Sequence, residues 1–233
     1  MRLEELFTNL GTFAGTVAAQ LHEASHGVPL AELDLTGAAP HEIALTGPAH
    51  VIVRGGDVLR ITVDPGTGAD EVRFALGGAR LRIAGGDCET VVRVTVPAPR
   101  KIAVAGRGRL SAAALADDGA LAIAGSGSVE LERAGGSRLE VNIAGSGRAM
   151  VNGRSQALAL SIGGSGSFDG DGLVAQSAEV SIAGSGNAIF GCEGEVTANL
   201  MGSGNVIVRG SARCTVSSVG SGTLVCERAP ADA

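Results

Sequence analysis

The chain has 233 residues, of which 37 are glycine; 45% are hydrophobic, but only 2% are aromatic, with neither Trp nor Tyr. This composition excludes a core built from large aromatic residues and favours thin layers of Val, Ile, Leu and Ala. The net charge of −6, without any basic run, argues against a nucleic-acid-binding surface, which needs clustered cations.

Residues 1–28 form an N-terminal extension that is predicted to contain an amphipathic helix over residues 3 to 24. The apolar residues recur at three- and four-residue spacing and end before Gly27 and Pro29. Such a helix either covers one end or side of the domain, or serves oligomerisation or membrane-surface contact. Its polar face lacks the basic residues that are typical of a membrane-surface helix.

The first residues also bear on localisation. Arg2 is followed at once by Glu4 and Glu5, and polar residues interrupt the next apolar stretch, which is unlike a secretory signal. No span approaches the roughly 18 apolar residues of a transmembrane helix. The sequence as given therefore predicts a cytoplasmic protein without a transmembrane segment.

His22-Glu23-Ala24-Ser25-His26 matches the pattern H-E-x-x-H. On a helix, the two histidines would share a face and could bind Zn²⁺, with Glu23 as the base. The predicted helix ends at Gly27, and the sequence dictates no third ligand. We therefore expect a solvated helix end and no cofactor, with a zinc site at His22 and His26 as a remote alternative.

Residues 31–104 are rich in short predicted strands that lack a strict period. Examples are Ile43–Leu45, Val51–Val53, Leu59–Val63 and Leu81–Ile83, separated by Gly and Pro. We interpret this region as an irregular β lead-in that is continuous with the repeats that follow.

Seven Gly-X-Gly triplets dominate residues 105–228, ahead of a short tail at residues 229–233. They begin at Gly106, Gly125, Gly145, Gly164, Gly184, Gly202 and Gly220, at intervals of 18 to 20 residues. A fixed period means one structural unit stacked on copies of itself. The period is too short for a strand plus a crossover helix, so it predicts an all-β, single-stranded parallel β-helix, or solenoid.

The parity of the apolar positions supports this prediction. Apolar residues stand four and two residues before the first glycine of the triplets, and four and six residues after it. All these offsets are even, and strand side chains alternate between faces, so one parity points inward throughout. Both glycines share that parity, which predicts a bend where an inward side chain would collide with the core.

The repeated string resembles a known family. Ile-Ala-Gly-Ser-Gly occurs at residues 123–127, 143–147 and 182–186, and Ile-Gly-Gly-Ser-Gly at 162–166. With the upstream stretches Glu42–Leu45, Val51–Val53 and Leu59–Val63, this is similar to the head GIN domain family of putative auto-transporter adhesins, over roughly residues 40 to 210. The resemblance implies a right-handed β-helix, an adhesin-like role and an exported or cell-envelope protein.

Two sets of outward residues are candidate contact sites. The middle residues of six triplets form a predicted hydroxyl ladder that could bind a glycan, a surface or another protein: Ser126, Ser146, Ser165, Ser185, Ser203 and Ser221. In the last three turns, two outward rows become apolar and predict a subunit interface, unless the N-terminal helix covers them: Ile189, Ile207, Val225, Met201 and Val219.

Four cysteines, at positions 88, 192, 214 and 226, match no metal-binding spacing. We expect them to be reduced and buried, because Cys packs as a small hydrophobic residue. No histidine or paired carboxylate accompanies the serine row, so nucleophilic catalysis lacks a base.

Taken together, these observations predict a non-enzymatic, adhesin-like interaction module that is oligomeric. It binds either through the hydroxyl ladder or through the strip formed by the five apolar residues. A partner protein, either a second copy or another chain, is the expected ligand, with a glycan or surface as the alternative. A self-assembling β-helical scaffold is the second hypothesis, because the open ends of a β-helix carry unpaired strand edges.

Overall fold

The computed structural model describes residues 27–36 and 38–227. The predicted N-terminal helix, the candidate zinc ligands His22 and His26, and the tail at residues 229–233 lie outside these residues. Among the residues described, no helix is long and apolar enough to span a membrane.

The described chain is all-β, with two short 3-10 helices at Leu30–Glu32 and Ala69–Glu71. The seventeen strands, in chain order, are β1 Glu42–Thr46, β2 His50–Gly55, β3 Arg60–Val63, β4 Arg73–Gly77, β5 Arg80–Ala84, β6 Val91–Val96, β7 Lys101–Gly106, β8 Arg109–Ala112, β9 Gly119–Gly125, β10 Ser128–Ala134, β11 Arg138–Gly145, β12 Arg148–Gly164, β13 Ser167–Gly184, β14 Asn187–Gly202, β15 Asn205–Arg209, β16 Arg213–Gly220 and β17 Thr223–Glu227.

From β7 onward the chain winds as a solenoid of seven turns, each bent at one Gly-X-Gly triplet, which confirms the predicted fold class. Strands that precede a triplet stack in parallel into what we call the first sheet, and strands that follow it form the second sheet. The long strands β12, β13 and β14 run from the second sheet of one turn into the first sheet of the next.

The N-terminal end is wound differently. β1 pairs with both β5 and β7, and β2 pairs with both β6 and β8, all in parallel, so the layer formed by β1 and β2 lies between two layers that follow it in sequence. β3 and β4 then pair antiparallel with β6 and β5 and close this end. Val28 adds a further bridge to Phe74, whose side chain is only 1% exposed.

Small aliphatic side chains fill the interior, as the even offsets predict. In the first six turns the inward rows are buried, with Ile143, Ile162 and Ile182 at most 1% exposed and stacked in register. Phe168 and Phe190 add an edge-to-face pair with ring centroids 6.5 Å apart. The prediction is wrong for the last turn, where inward Val216 is 48% exposed, because no further described turn covers it.

The two glycines of a triplet have different roles. Gly164 has φ +110°, and a Cβ there would lie 2.7 Å from the carbonyl oxygen of Gly145 in the preceding turn. Gly166 has ordinary backbone geometry but is buried, and its Cβ would lie 2.5 Å from Cγ2 of Ile143. The first glycine therefore permits the bend, and the second makes room for the isoleucine below it.

The cysteine prediction needs correction. Cys214 on β16 and Cys226 on β17 form a disulfide across the interior of the last turn, with their Cα atoms 6.7 Å apart. Cys88 is free and exposed, and only Cys192 is the buried thiol that was expected. The two bonded cysteines stand six residues before and six after Gly220, so both have inward parity, and they face each other where Val196 and Val208 sit in the preceding turn.

Candidate functional site

The six serines of the predicted hydroxyl ladder lie along the corner between the two sheets. Successive triplet glycines pair in register, which stacks the intervening serines, and all six serines are exposed. Each serine N–H donates to the carbonyl of the first glycine in the preceding turn, for example Ser165 to Gly145 at 2.9 Å. Their hydroxyls have no protein hydrogen-bond partner within the described chain, so they remain available to a ligand or to water.

A second polar row runs beside this corner on the outer surface of the second sheet. We call it the polar ladder, and its members are Arg148, Ser167, Asn187, Asn205 and Thr223. Arg148 Nε donates to Ser167 Oγ (3.1 Å), Asn205 Nδ2 donates to Asn187 Oδ1 (3.3 Å) and Thr223 Oγ1 donates to Asn205 Oδ1 (2.7 Å). These bonds link successive turns and fix the side chains of the ladder along the solenoid axis.

An open groove of about 570 Å³ lies along this row. Its apolar floor is formed by Ile189, Ile207 and Val225, which are adjacent in register on β14, β15 and β17, and Asp169 extends the same row. Val225 is 45% exposed. Three of the five predicted interface residues thus form one continuous surface, which we call the apolar groove.

The other two predicted interface residues lie elsewhere. Met201 and Val219 are register neighbours on the outer surface of the first sheet, across the serine corner from the groove. Val219 is 66% exposed. The sequence pattern placed all five residues in one strip, but the bend at each triplet divides them between two faces.

Ion pairs that the sequence reasoning missed border the groove. Arg209 follows Ile207 on the outer surface of β15, contacts the carboxylate of Asp171 and lies 3.7 Å from that of Glu227. Arg209 can reach two turns back because the residue paired with it in the intervening turn is Gly191. All three charged side chains are about half exposed, so we expect the ion pairs to position side chains more than to stabilise the fold.

Sequence reasoning also missed a polar contact near the N-terminal end of the second sheet. His50 Nε2 lies 3.3 Å from Ser111 Oγ, and register places His50 beside Arg109. Burial lowers the pKa of His50, and the positive charges of Arg109 and Arg93 lower it further. Burial and the two arginines thus disfavour the protonated form of this imidazole. Only strand pairing reveals this contact, because the two residues are 61 positions apart.

The described residues contain no group of three or more His, Cys, Asp or Glu that could hold a metal ion. None of the six serines of the hydroxyl ladder has a histidine hydrogen-bonded to its hydroxyl in this part of the chain. What the described surface offers is therefore repeated hydroxyl and amide groups beside an aliphatic groove, a chemistry suited to contact.

Solved structures with a similar fold are known. A putative adhesin from Bacteroides fragilis matches with a TM-score of 0.72 at 19% identity, covering 81% of this chain and 92% of that chain. A putative lipid binding protein from Parabacteroides distasonis gives 0.65 at 22% identity, covering 81% and 93%. A putative adhesin from Parabacteroides merdae gives 0.64 at 17% identity, covering 82% and 93%. A comparison with curated proteins yields no match.

The family comparison covers most of the solenoid. The model of the family described as putative auto-transporter adhesin, head GIN domain, matches residues 39–212, which run from just before β1 to just before β16. With the repeated Gly-Ser-Gly corners and the parallel winding already described, this match shows that the chain belongs to the head GIN domain family of putative auto-transporter adhesins.

Proposed function

We propose that this protein is a non-enzymatic binding module of the adhesin type, and that it engages its ligand through the apolar groove. The observation that carries the proposal is the unbroken run of Ile189, Ile207 and Val225 on an outer surface. Earlier turns carry Ser111, Glu130, Met150 and Asp169 at the same position, so only the last three turns are apolar in succession. Exposed apolar rows bounded by polar side chains commonly mark contact sites.

The groove's borders favour a ligand with both apolar and polar groups. The polar ladder fixes amide and hydroxyl groups on one side, and Arg209 with Asp171 and Glu227 supplies charge on the other. An apolar side chain or acyl group could bury itself on the aliphatic floor while its polar neighbours bond to the ladder. A partner protein with aliphatic side chains exposed on its surface fits this arrangement.

The disulfide supports an extracytoplasmic location. Bonds such as Cys214–Cys226 persist in oxidising compartments and are rare in the cytoplasm. Family membership points the same way, since adhesins act outside the cell. We therefore replace the cytoplasmic prediction with the proposal that the mature protein works in the cell envelope or beyond it.

An adhesion assay tests the proposed function. Beads coated with the purified chain are counted after washing on a panel of intact bacterial and animal cells. We expect the unmodified chain to adhere to at least one cell type, and Ile207→Asp to reduce adhesion at least tenfold. The matched control is Thr197→Asp, which places the same charge at an exposed position on the first sheet.

Two results would contradict the proposal. One is that the unmodified chain adheres no better than an albumin coating on every cell type. The other is that Ile207→Asp and Thr197→Asp reduce adhesion equally, which would locate the effect away from the groove. Far-UV circular dichroism of each variant establishes that the fold is intact.

An acyl chain is a second candidate ligand. The groove volume of about 570 Å³ and its aliphatic floor suit a single chain, and one solved structure of similar fold is described as a putative lipid binding protein. Calorimetric titration with dodecanoate tests this candidate: binding that Ile207→Asp weakens and Thr197→Asp leaves unchanged supports it, and the absence of measurable heat rejects it.

A further inference from the structure

The two ends of the solenoid differ in whether their strand edges are covered. At the N-terminal end, antiparallel strands β3 and β4 lie over the last parallel layer, and the core positions there are buried, including Ile61 and Phe74. At the C-terminal end, β16 pairs only with β14, and β17 only with β15. One edge of each of these two strands therefore has no strand partner among residues 27–36 and 38–227.

This open edge also exposes core positions. Val216 points inward, as Ala198 does in the preceding turn, yet its side chain is 48% exposed, whereas that of Ala198 is fully buried. Leu224 occupies the inward position that Val206 fills one turn earlier and is only partly buried. The same end surface therefore presents unpaired backbone groups and partly exposed core side chains.

Charged residues stand only at the two ends of this edge, Arg213 at the start of β16 and Glu227 at the end of β17. Natural edge strands are commonly protected by charged side chains, Pro or bulges. From Cys214 to Cys226 the last turn contains no charged residue and no Pro. The Cys214–Cys226 disulfide holds this uncharged stretch of the edge in one shape, which lowers the conformational cost of binding to it.

We propose that the C-terminal turn is a dimerisation surface and that its partner is the same turn of a second copy. A two-fold axis through Ser221, in the plane of the turn, would place β16 against the partner's β17 and β17 against the partner's β16. Both pairs would be antiparallel, because each β16 runs toward its corner and each β17 runs away from it. Because a second copy of this turn has the same bend, the free edges of both β16 and β17 gain a strand partner in a single contact.

The sequence spacing agrees with this axis. Ser218 and Leu224 stand three residues before and after Ser221, and Val216 and Cys226 stand five residues before and after it. All four have inward parity, and residues directly opposite each other in antiparallel strands point to the same side. The two copies would thus join their cores into one continuous interior, with glycine corners Gly220 and Gly222 leaving room for close approach.

The closed N-terminal end sets the size of the assembly. A contact between unlike ends would let copies add without limit, whereas a two-fold contact between like ends stops at two. Because β3 and β4 cover the other end, we expect a dimer and not a filament. The self-contact therefore lies at the end of the solenoid, and the apolar groove stays free on its side.

Sedimentation velocity over a hundredfold concentration range tests the proposal, using the full chain with its disulfide intact. We expect a limiting mass of twice 23.0 kDa. Val216→Lys should shift the chain to a monomer, because it buries an unpaired charge between the two cores. The matched control Val58→Lys, at a position that is 72% exposed between β2 and β3, should leave the dimer unchanged.

Further variants keep the outcome decisive. Ser218→Lys repeats the test at an exposed position if Val216→Lys fails to fold, and Ile207→Asp in the groove should not dissociate the dimer. A chain ending at Glu227 should also dimerise. A monomer at every concentration, a mass that keeps growing beyond two copies, or dimerisation only after removal of residues 228–233 would overturn the proposal.

Discussion

Adding one methyl group at a glycine corner tests whether the Gly-X-Gly triplet is a strained bend packed against the preceding turn. In Gly164→Ala, the new residue must adopt φ near +110°, and its Cβ would lie 2.7 Å from the Gly145 carbonyl oxygen. Holding a non-glycine residue in such a conformation costs about 1 to 3 kcal/mol. Displacing the packed neighbour costs about 1 to 3 kcal/mol more, so we expect a loss of roughly 2 to 6 kcal/mol in the free energy of unfolding.

Two other glycines supply controls. Gly135→Ala adds the same methyl group at ordinary φ with nothing within 4 Å, and should be neutral or stabilising by about 0.4 to 1 kcal/mol. Gly166→Ala retains an allowed backbone but places Cβ 2.5 Å from Ile143 Cγ2, so it should cost only the packing part, about 1 to 3 kcal/mol.

Urea unfolding followed by far-UV circular dichroism is the suitable assay, because the chain has no Trp or Tyr for fluorescence. With a slope of about 2 to 3 kcal/mol per molar urea, the midpoint of Gly164→Ala should fall by roughly 1 to 3 M. Equal midpoints for Gly164→Ala and Gly135→Ala would refute the assignment of the triplet as a strained corner packed against its neighbour.

Three further predictions concern thiols, core packing and pH. Under native, non-reducing conditions Ellman's reagent should titrate one thiol, that of Cys88, and a second, that of Cys192, only after unfolding, because burial shields Cys192 and raises its pKa; four thiols before any reduction would rule out the disulfide. Phe190→Ala, at a fully buried position against Phe168, should lower the free energy of unfolding by about 3 to 5 kcal/mol in the same urea assay, and a loss below about 1 kcal/mol would contradict the core assignment. The pKa of His50 is lowered in the folded state, so the unfolded chain takes up a proton there first, and stability should fall as the pH drops from about 6.5 to the folded-state pKa and then level off. His50→Gln should remove that part of the pH dependence, and an unchanged profile would show that another group is responsible.

The local rules for one turn were readable from the sequence. A period of 18 to 20 residues, inward residues at even offsets and glycines at the corner follow from strand geometry and steric exclusion, and the buried rows through Ile143, Ile162 and Ile182 agree with them. The serine ladder followed from the same parity. Each of these features depends only on residues within one repeat or at the same place in the next.

Other features depended on contacts that no repeat encodes. The insertion of β1 and β2 between layers that come later in the chain, and the antiparallel closure by β3 and β4, are pairings between segments of irregular sequence. The groove emerged only when the bend separated Ile207 from Met201, residues that share outward parity but lie on different sheets.

The sequence by itself determined the repeating unit, because alternation along a strand and the exclusion of a Cβ at a tight corner act on neighbouring residues. The tertiary structure alone decided how the strands at the two ends of the solenoid are paired or left open. Pairing Cys214 with Cys226, covering Phe74 and leaving Val216 open depend on which strands find a partner at each end. That choice is made by backbone hydrogen bonding between segments distant along the chain, which local patterns do not specify.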